Sequence, residues 1–143
     1  PKLESSGLLL AERLQEMGYV GHFDIDCVVS DTGDLYLLEI NARRTGGTHV
    51  HDFAKHVYGH DYIEKVSFVS YEAMDSGNIT DPKELQDALA DYLLPIKGDM
   101  RYGLVITITR ALHNHRFGCI AVAPSVELAL KLQKDVLTYL QNL

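Results

Sequence analysis

Apolar positions along the chain follow two rhythms, one near 3.6 residues and one of two, and each change of rhythm marks an expected element. In residues 3–17, Leu10, Leu14 and Met17 fall at i, i+4 and i+7, with Glu12, Arg13, Gln15 and Glu16 on other faces. That spacing predicts an amphipathic packing helix, ended by Gly18. The rhythm then shortens to two. Val28 and Val29 lie in one predicted strand, and Leu35, Tyr36, Leu37, Leu38 and Ile40 lie in the next. Ser30, Asp31, Thr32, Gly33 and Asp34 join them, a composition suited to a tight turn with Gly33 at positive φ.

Helical spacing returns with Val50, Phe53, Ala54 and Val57, for which Thr48 is the predicted N-cap and Gly59 the stop. Asp61 and Glu64 have the spacing of a capping box, and Ile63, Val66 and Val69 continue it as the stripe of a helix through about Met74. A polar loop at 76–80 precedes Asp81, Pro82 and Glu84, a helix start with a capping acid and proline at the first position. Leu85, Ala88, Leu89 and Tyr92 are its expected buried stripe and Pro95 its end. Residues 103–123 read as a second hairpin, with Leu104, Ile106 and Ile108 alternating with Val105, Thr107 and Thr109. Its turn is His113, Asn114, His115 and Arg116, and Arg110 is read as an edge-strand charge. Pro124 and Ser125 open a last helix over 126–140, with Leu128, Leu132 and Val136 among its buried positions. The expected fold class is α+β: one domain with an antiparallel sheet, both hairpins included, covered by helices.

Composition narrows the function classes. A chain of 143 residues with 46% hydrophobic content can bury a core and is not of the disordered type. A net charge of −7 argues against nucleic acid or an anionic membrane as partner. No apolar run is long enough to span a bilayer and no signal peptide is visible. Cys27 and Cys119 sit in apolar strand patterns and are read as reduced core thiols, which suits a cytoplasmic protein.

The chemistry concentrates in residues 21–47. Alternation puts Asp24, Asp26 and Val28 on one face of the first strand, and Leu37, Glu39 and Asn41 on one face of the second. Asp26 stands five residues before Asp31, and Glu39 five after Asp34, so folding about the turn is expected to bring the two acids roughly opposite each other; if their faces agree, two carboxylates and an amide oxygen converge on one small volume. Two carboxylates that close repel unless a cation lies between them. Mg²⁺, or Mn²⁺ in its place, suits such oxygens and is usually held by one or two carboxylates plus substrate phosphates. Arg43 and Arg44 follow as fork-shaped phosphate binders. Gly46, Gly47 and Thr48 let backbone approach a ligand at the start of a helix, where N–H groups and a positive dipole end favour phosphate. Taken singly, each residue has an ordinary reading: a solvated strand aspartate, a strand-end glutamate, an exposed basic pair. Their conjunction favours a metal–phosphate site. The rival is a zinc site on His49, His51, His56 and His60, but the glutamate of a His-Glu-x-x-His motif and a cysteine pair are missing, so a polar helix face is expected. His113 and His115 are read as a solvated turn.

The run GHFDIDCVVSDTGDLYLLEINARRTGG resembles the metal-binding hairpin of ATP-grasp ligases, the superfamily of D-alanine–D-alanine ligase, biotin carboxylase, carbamoyl-phosphate synthetase and several peptide ligases. In that pattern an acid on one strand and a Glu-x-Asn on the next hold Mg²⁺ ions between the ATP phosphates. By position the resemblance implies Asp26 as the first-strand acid, with Asp24 its competitor, Glu39 as the bridging acid and Asn41 as the amide ligand. It implies Arg43, with Arg44 beside it, on the transferred phosphate or acyl phosphate, and Val28 packed on the adenine. Ala42 stands where proline is usual. The Asn-x-Arg-x-Thr-Gly run is most similar to the amino-acid and peptide ligase branch. The implied activity is ATP-dependent joining of a carboxylate to an amine. The resemblance is strong over residues 18–48 and loose elsewhere. Because no lysine-bearing phosphate-binding portion precedes Gly21, the chain is expected to be the C-terminal part of such a ligase, inactive alone. An apolar edge left open by that absence predicts association into a homo-oligomer. The alternative is a non-catalytic ATP-grasp-like module that binds a metal or a partner.

Overall fold

The computed structural model describes residues 2–95 and 101–143, and the chain divides into two compact units, Pro1–Asp52 and Phe53–Leu143. Its class is α+β, with the two hairpins in separate antiparallel sheets rather than one.

The first unit contains helix α1 (Lys2–Glu16) and strands β1 (Asp24–Val29) and β2 (Leu35–Asn41). Gly18, at φ 85°, ends α1. Its N–H donates to Gln15 O at 2.9 Å and the Tyr19 N–H donates to Leu14 O at 2.9 Å. These are the paired bonds of a Schellman stop, which only a residue free to adopt positive φ makes cheaply. Leu10 and Leu14 are half-buried, but Met17 is 83% exposed, because it lies in the terminating turn rather than on the stripe. The turn between β1 and β2 closes as its composition requires. Gly33 takes φ 83°, its N–H donates to Ser30 O at 2.8 Å, and the Ser30 N–H donates to Asp34 O at 2.9 Å.

Helix α2 (Gly46–Tyr58) starts before its predicted cap. Thr48 lies inside the helix, where its Oγ1 accepts the Thr45 N–H at 3.0 Å. That is the backward half of a capping box, so the third helical position, not the cap, uses the hydroxyl. Gly59, at φ 90°, ends the helix as expected.

The second unit holds the core. Strands β3 (Ser67–Asp75), β4 (Gly103–Ile108) and β5 (Arg116–Ala123) form an antiparallel sheet in the order β3-β5-β4. The expected helix over 61–74 is absent. Asp61 makes no side-chain cap bond; its carboxylate accepts Lys65 Nζ at 2.7 Å, and only a 3₁₀ turn, Tyr62–Glu64, forms. From Ser67 the chain pairs with β5, Phe68 opposite Val122 and Tyr71 opposite Cys119. Ser67, Phe68 and Val69 are half-buried in this strand while Ser70 and Tyr71 are exposed, and its pairing partner β5 is not revealed by local sequence.

Helix α4 (Val126–Gln141), capped by Ser125 Oγ, packs on β3 and β5. Its buried line is Ala129, Val136 and Leu140, with Leu132 packed against the core, whereas Leu128 is 49% exposed. Phe117, Cys119, Ala121 and Ala123 of β5 enter this core together with Leu85, Leu89 and Leu104. Ile120 and Val122, which alternate to the opposite face of the strand, are buried too. Phe68 collects Phe53, Tyr58 and Tyr62 edge-on around it at centroid distances of 6.4, 5.6 and 5.6 Å. Arg110 lies in the turn after β4, exposed, rather than within the strand.

Helix α3 (Pro82–Ala88) begins where Asp81 and Pro82 predicted but ends at Leu89, well before Pro95. Asp81 Oδ1 accepts the N–H groups of Lys83 (2.8 Å) and Glu84 (3.0 Å). Asp81→Ala is expected to lower stability by about 1 kcal/mol, read as a shift of the urea midpoint with unchanged slope.

Cys119 and Cys27 are free thiols in different settings. Burial pushes the Cys119 thiol up to about 12, so at neutral pH it carries essentially no thiolate. Cys27 is half-buried. A thiol-specific reagent at pH 8 is expected to label Cys27 in the native protein and Cys119 only after denaturant is added. Labelling at equal rates would contradict this burial.

Candidate functional site

Period-two alternation and the turn at Gly33 place the polar ends of β1 and β2 side by side. Asp26 pairs with Glu39, as expected from the sequence, and Asp24 pairs with Asn41. Residues paired across a ladder point to the same face, with Cβ atoms about 4.5–5.5 Å apart. Asp24, Asp26, Glu39 and Asn41 therefore share one face. Beyond Asp26 the register shifts: Cys27 pairs with Leu37, so Leu38 is an extra residue. The shift carries Leu37 to the face of Cys27, away from Glu39, and puts Tyr36 opposite Val28. Val28 keeps its place on the face of the acids and is 48% exposed. A cavity of about 350 Å³ is lined by Leu10, Leu37, Leu38, Glu39 and Ile40.

The side chains on this face are tied together. Asn41 Nδ2 donates to Asp26 Oδ2 at 3.2 Å, and Arg43 Nη2 donates to Asn41 Oδ1 at 2.8 Å. Arg43 also reaches the Arg44 carbonyl from Nη1 at 3.3 Å. A close turn puts Arg43 there, its N–H donating to Asn41 O at 2.9 Å. Arg44 does not join this set. It forms an ion pair with Asp52, a residue of α2, and both side chains are largely exposed. Pairs of that kind contribute at most about 1 kcal/mol. Asp24 Oδ1 is buried and has no hydrogen-bond partner.

Two things here were not legible in the sequence. Asp52 carries no local signal linking it to Arg44. The attachment of Arg43 to Asn41 depends on a bend after β2 that hydropathy does not encode.

The oxygen donors of this face are of the type hard divalent cations take. They are carboxylate and amide oxygens, and Asp24 Oδ1 is a buried acceptor with nothing to accept. Among the described residues no three His, Cys, Asp or Glu side chains assemble into a metal cage, the four histidines of residues 49–60 included. Whatever this face holds, it would hold through the Asp26–Glu39 pair and an amide, with further oxygens coming from a ligand. Among the described residues no helix is long and apolar enough to cross a membrane. In comparison with known proteins, no family model matches the chain and no curated protein matches it.

Proposed function

We propose that this chain is part of an ATP-dependent ligase of the ATP-grasp type, with the face of Asp26, Glu39 and Asn41 binding Mg²⁺ against nucleotide phosphates. The observation that carries the reading is the direct pairing of Asp26 with Glu39. Like charges opposite each other in a ladder are destabilising, and a face that keeps them has a use for that charge. Bound there, Mg²⁺ would neutralise a transferred phosphoryl group.

The chain's own residues would do the rest. Asp26 and Glu39 supply negative oxygens, and Asn41 orients Asp26 through its amide. Arg43, exposed and one turn away, stabilises charge on the phosphate or the acyl phosphate. Val28, exposed on the same face and opposite Tyr36, gives the adenine an apolar surface. The reaction such a site serves transfers the γ-phosphoryl group of ATP to a carboxylate oxygen. The amine nitrogen then displaces phosphate from the acyl carbon.

The test is calorimetric titration with ADP and ATP, with and without Mg²⁺, on the chain and on a full-length protein containing it. Nucleotide binding that requires Mg²⁺ is expected in the full-length protein. Metal binding without nucleotide would replace the ligase by a non-catalytic metal-binding module, and binding of neither would remove both.

A further inference from the structure

β4 is the outer strand of its sheet, so one of its edges carries backbone groups that no strand of the sheet can pair. Residues 92–94 cover the start of that edge. The Leu104 N–H donates to Tyr92 O at 2.7 Å, and the Leu94 N–H donates to Leu104 O at 2.8 Å. Gly103, at φ 153°, makes this close crossing possible, since a Cβ there would stand 2.7 Å from Leu94 N. Backbone groups alternate in direction along an antiparallel strand. Leu104 points outward, Val105 points to β5, and Ile106 points outward again. Among the described residues no backbone hydrogen bond reaches Ile106 from outside the sheet. The cover stops at Leu94, and the N–H and C=O of Ile106 remain open.

Ile106 also lines a cavity of about 520 Å³, within the range of about 300–1,000 Å³ typical of ligand sites. Phe53, Val57, Leu94 and Val105 line it too, together with Arg101, and among the described residues no acid does. The positive charge is fixed in place. Arg101 Nη2 donates to Val57 O at 3.2 Å, and the guanidinium carbon lies 6.0 Å from the centroid of the Tyr58 ring. Tyr58 Oη donates to Arg101 O at 2.6 Å. A fitting occupant is therefore apolar, carries a negative group, and presents a donor and an acceptor at strand spacing. The end of a peptide has all three.

We propose that the open edge of β4 and this cavity bind the C-terminal end of an extended peptide, whose backbone pairs with Ile106, whose last apolar side chain enters the cavity and whose carboxylate meets Arg101. The inference is independent of the metal reading of the hairpin. Strand addition at a sheet edge, with a pocket taking a side chain, is a general mode of peptide recognition. Charge decides the direction. A strand added antiparallel beside Ile106 runs toward Leu104 and meets residues 92–94, so its chain ends there as a carboxylate. Added parallel, it would begin there with an ammonium group, which Arg101 repels. β4 shifts register between Ile106 and Ile108, so the pairing is short: the backbone bonds set direction and the buried apolar side chain adds affinity.

The experiment is amide hydrogen exchange and chemical-shift titration of the chain by NMR. The probes are N-acetylated peptides of three alanines ending in Val, Leu, Ile or Phe, each as free acid and as C-terminal amide. In the free chain the Ile106 N–H is expected to exchange readily. With at least one of the acids it should slow about tenfold at a free peptide concentration of about ten times Kd. The matching amide should bind about tenfold more weakly, having lost a charge-assisted hydrogen bond. Arg101→Met should bind acid and amide alike. The comparison of acid with amide in wild type stands even if that variant is destabilised. An Ile106 N–H already protected in the free chain would overturn the inference, and so would protection that grows with protein concentration alone, which marks a second copy on the edge. Equal binding of acid and amide by wild type would overturn it as well. If octanoate binds and none of the peptides does, the cavity takes a small apolar acid and the peptide is excluded.

Discussion

Glu39→Gln is expected to abolish Mg²⁺-dependent nucleotide binding while leaving the hairpin at least as stable. The substitution keeps shape and hydrogen-bonding capacity and removes one negative charge. Losing even an outer partner of a metal ligand typically costs about 10- to 100-fold in affinity, so loss of a ligating carboxylate should cost about 100-fold or more. The effect on folding has the opposite sign. Glu39 stands directly opposite Asp26, and relieving a like-charge cross-strand pair should stabilise by about 0.2–1 kcal/mol, less at high salt. The two signs together are diagnostic. A misfolded variant would lose both binding and stability, whereas a face without a metal role would gain stability and lose nothing. Calorimetry and a urea titration on the same preparation separate the cases.

Phe117→Ala is expected to lower the stability of the second unit by about 3–5 kcal/mol, a large part of the 5–15 kcal/mol that typically holds a domain together. Phe117 is fully buried at the start of β5 and pairs with Met74 across the ladder. Met74 Sδ in turn lies 4.0 Å from Cys119 Sγ, so the ring is packed among side chains of two strands. Truncation leaves a cavity there, and β5, as the middle strand, has neighbours on both sides that cannot both move in to fill it. The check is the guanidinium midpoint at unchanged m-value. A loss under about 1 kcal/mol, within the range of an ordinary tolerated core change, would mean that this strand is not the centre of the core.

What could be read from the sequence followed from how local the deciding physics was. The hairpin of β1 and β2 and its turn at Gly33 depend on residues within one short run. The pairing of Asp26 with Glu39 depends in addition on the extra residue at Leu38, since a ladder continued in step from Cys27 opposite Leu37 would set Asp26 against Leu38. The stops at Gly18 and Gly59 and the cap at Asp81 are likewise local. Residues 61–74 defeated the reading because two signals coincided. Asp61 and Glu64 imitate a capping box, and Ile63, Val66 and Val69 imitate a helical stripe. Yet Ile63 is 78% exposed and Val66 is buried, which a shared stripe would not allow. The strand that forms there is selected by β5, about fifty residues onward. For the candidate site, alternation placed Asp24 with Asp26 on one strand and Glu39 with Asn41 on the other; that the two pairs share a face follows from the register shift at Leu38. The extra residue at Leu38 and the attachment of Arg43 to Asn41 are set by backbone bends that no periodicity announces.

The extra residue has a consequence for the faces of this hairpin. It divides the ladder into a polar segment, Asp24 to Asp26 against Glu39 to Asn41, and an apolar segment nearer the turn. Turn type and loop length set the register of the apolar segment, and the one-residue offset at Leu38 converts that register into the pairing of Asp26 with Glu39. The joint works as a face selector: continued in step from the turn, the ladder would set Glu39 opposite Ile25 and turn it away from Asp26.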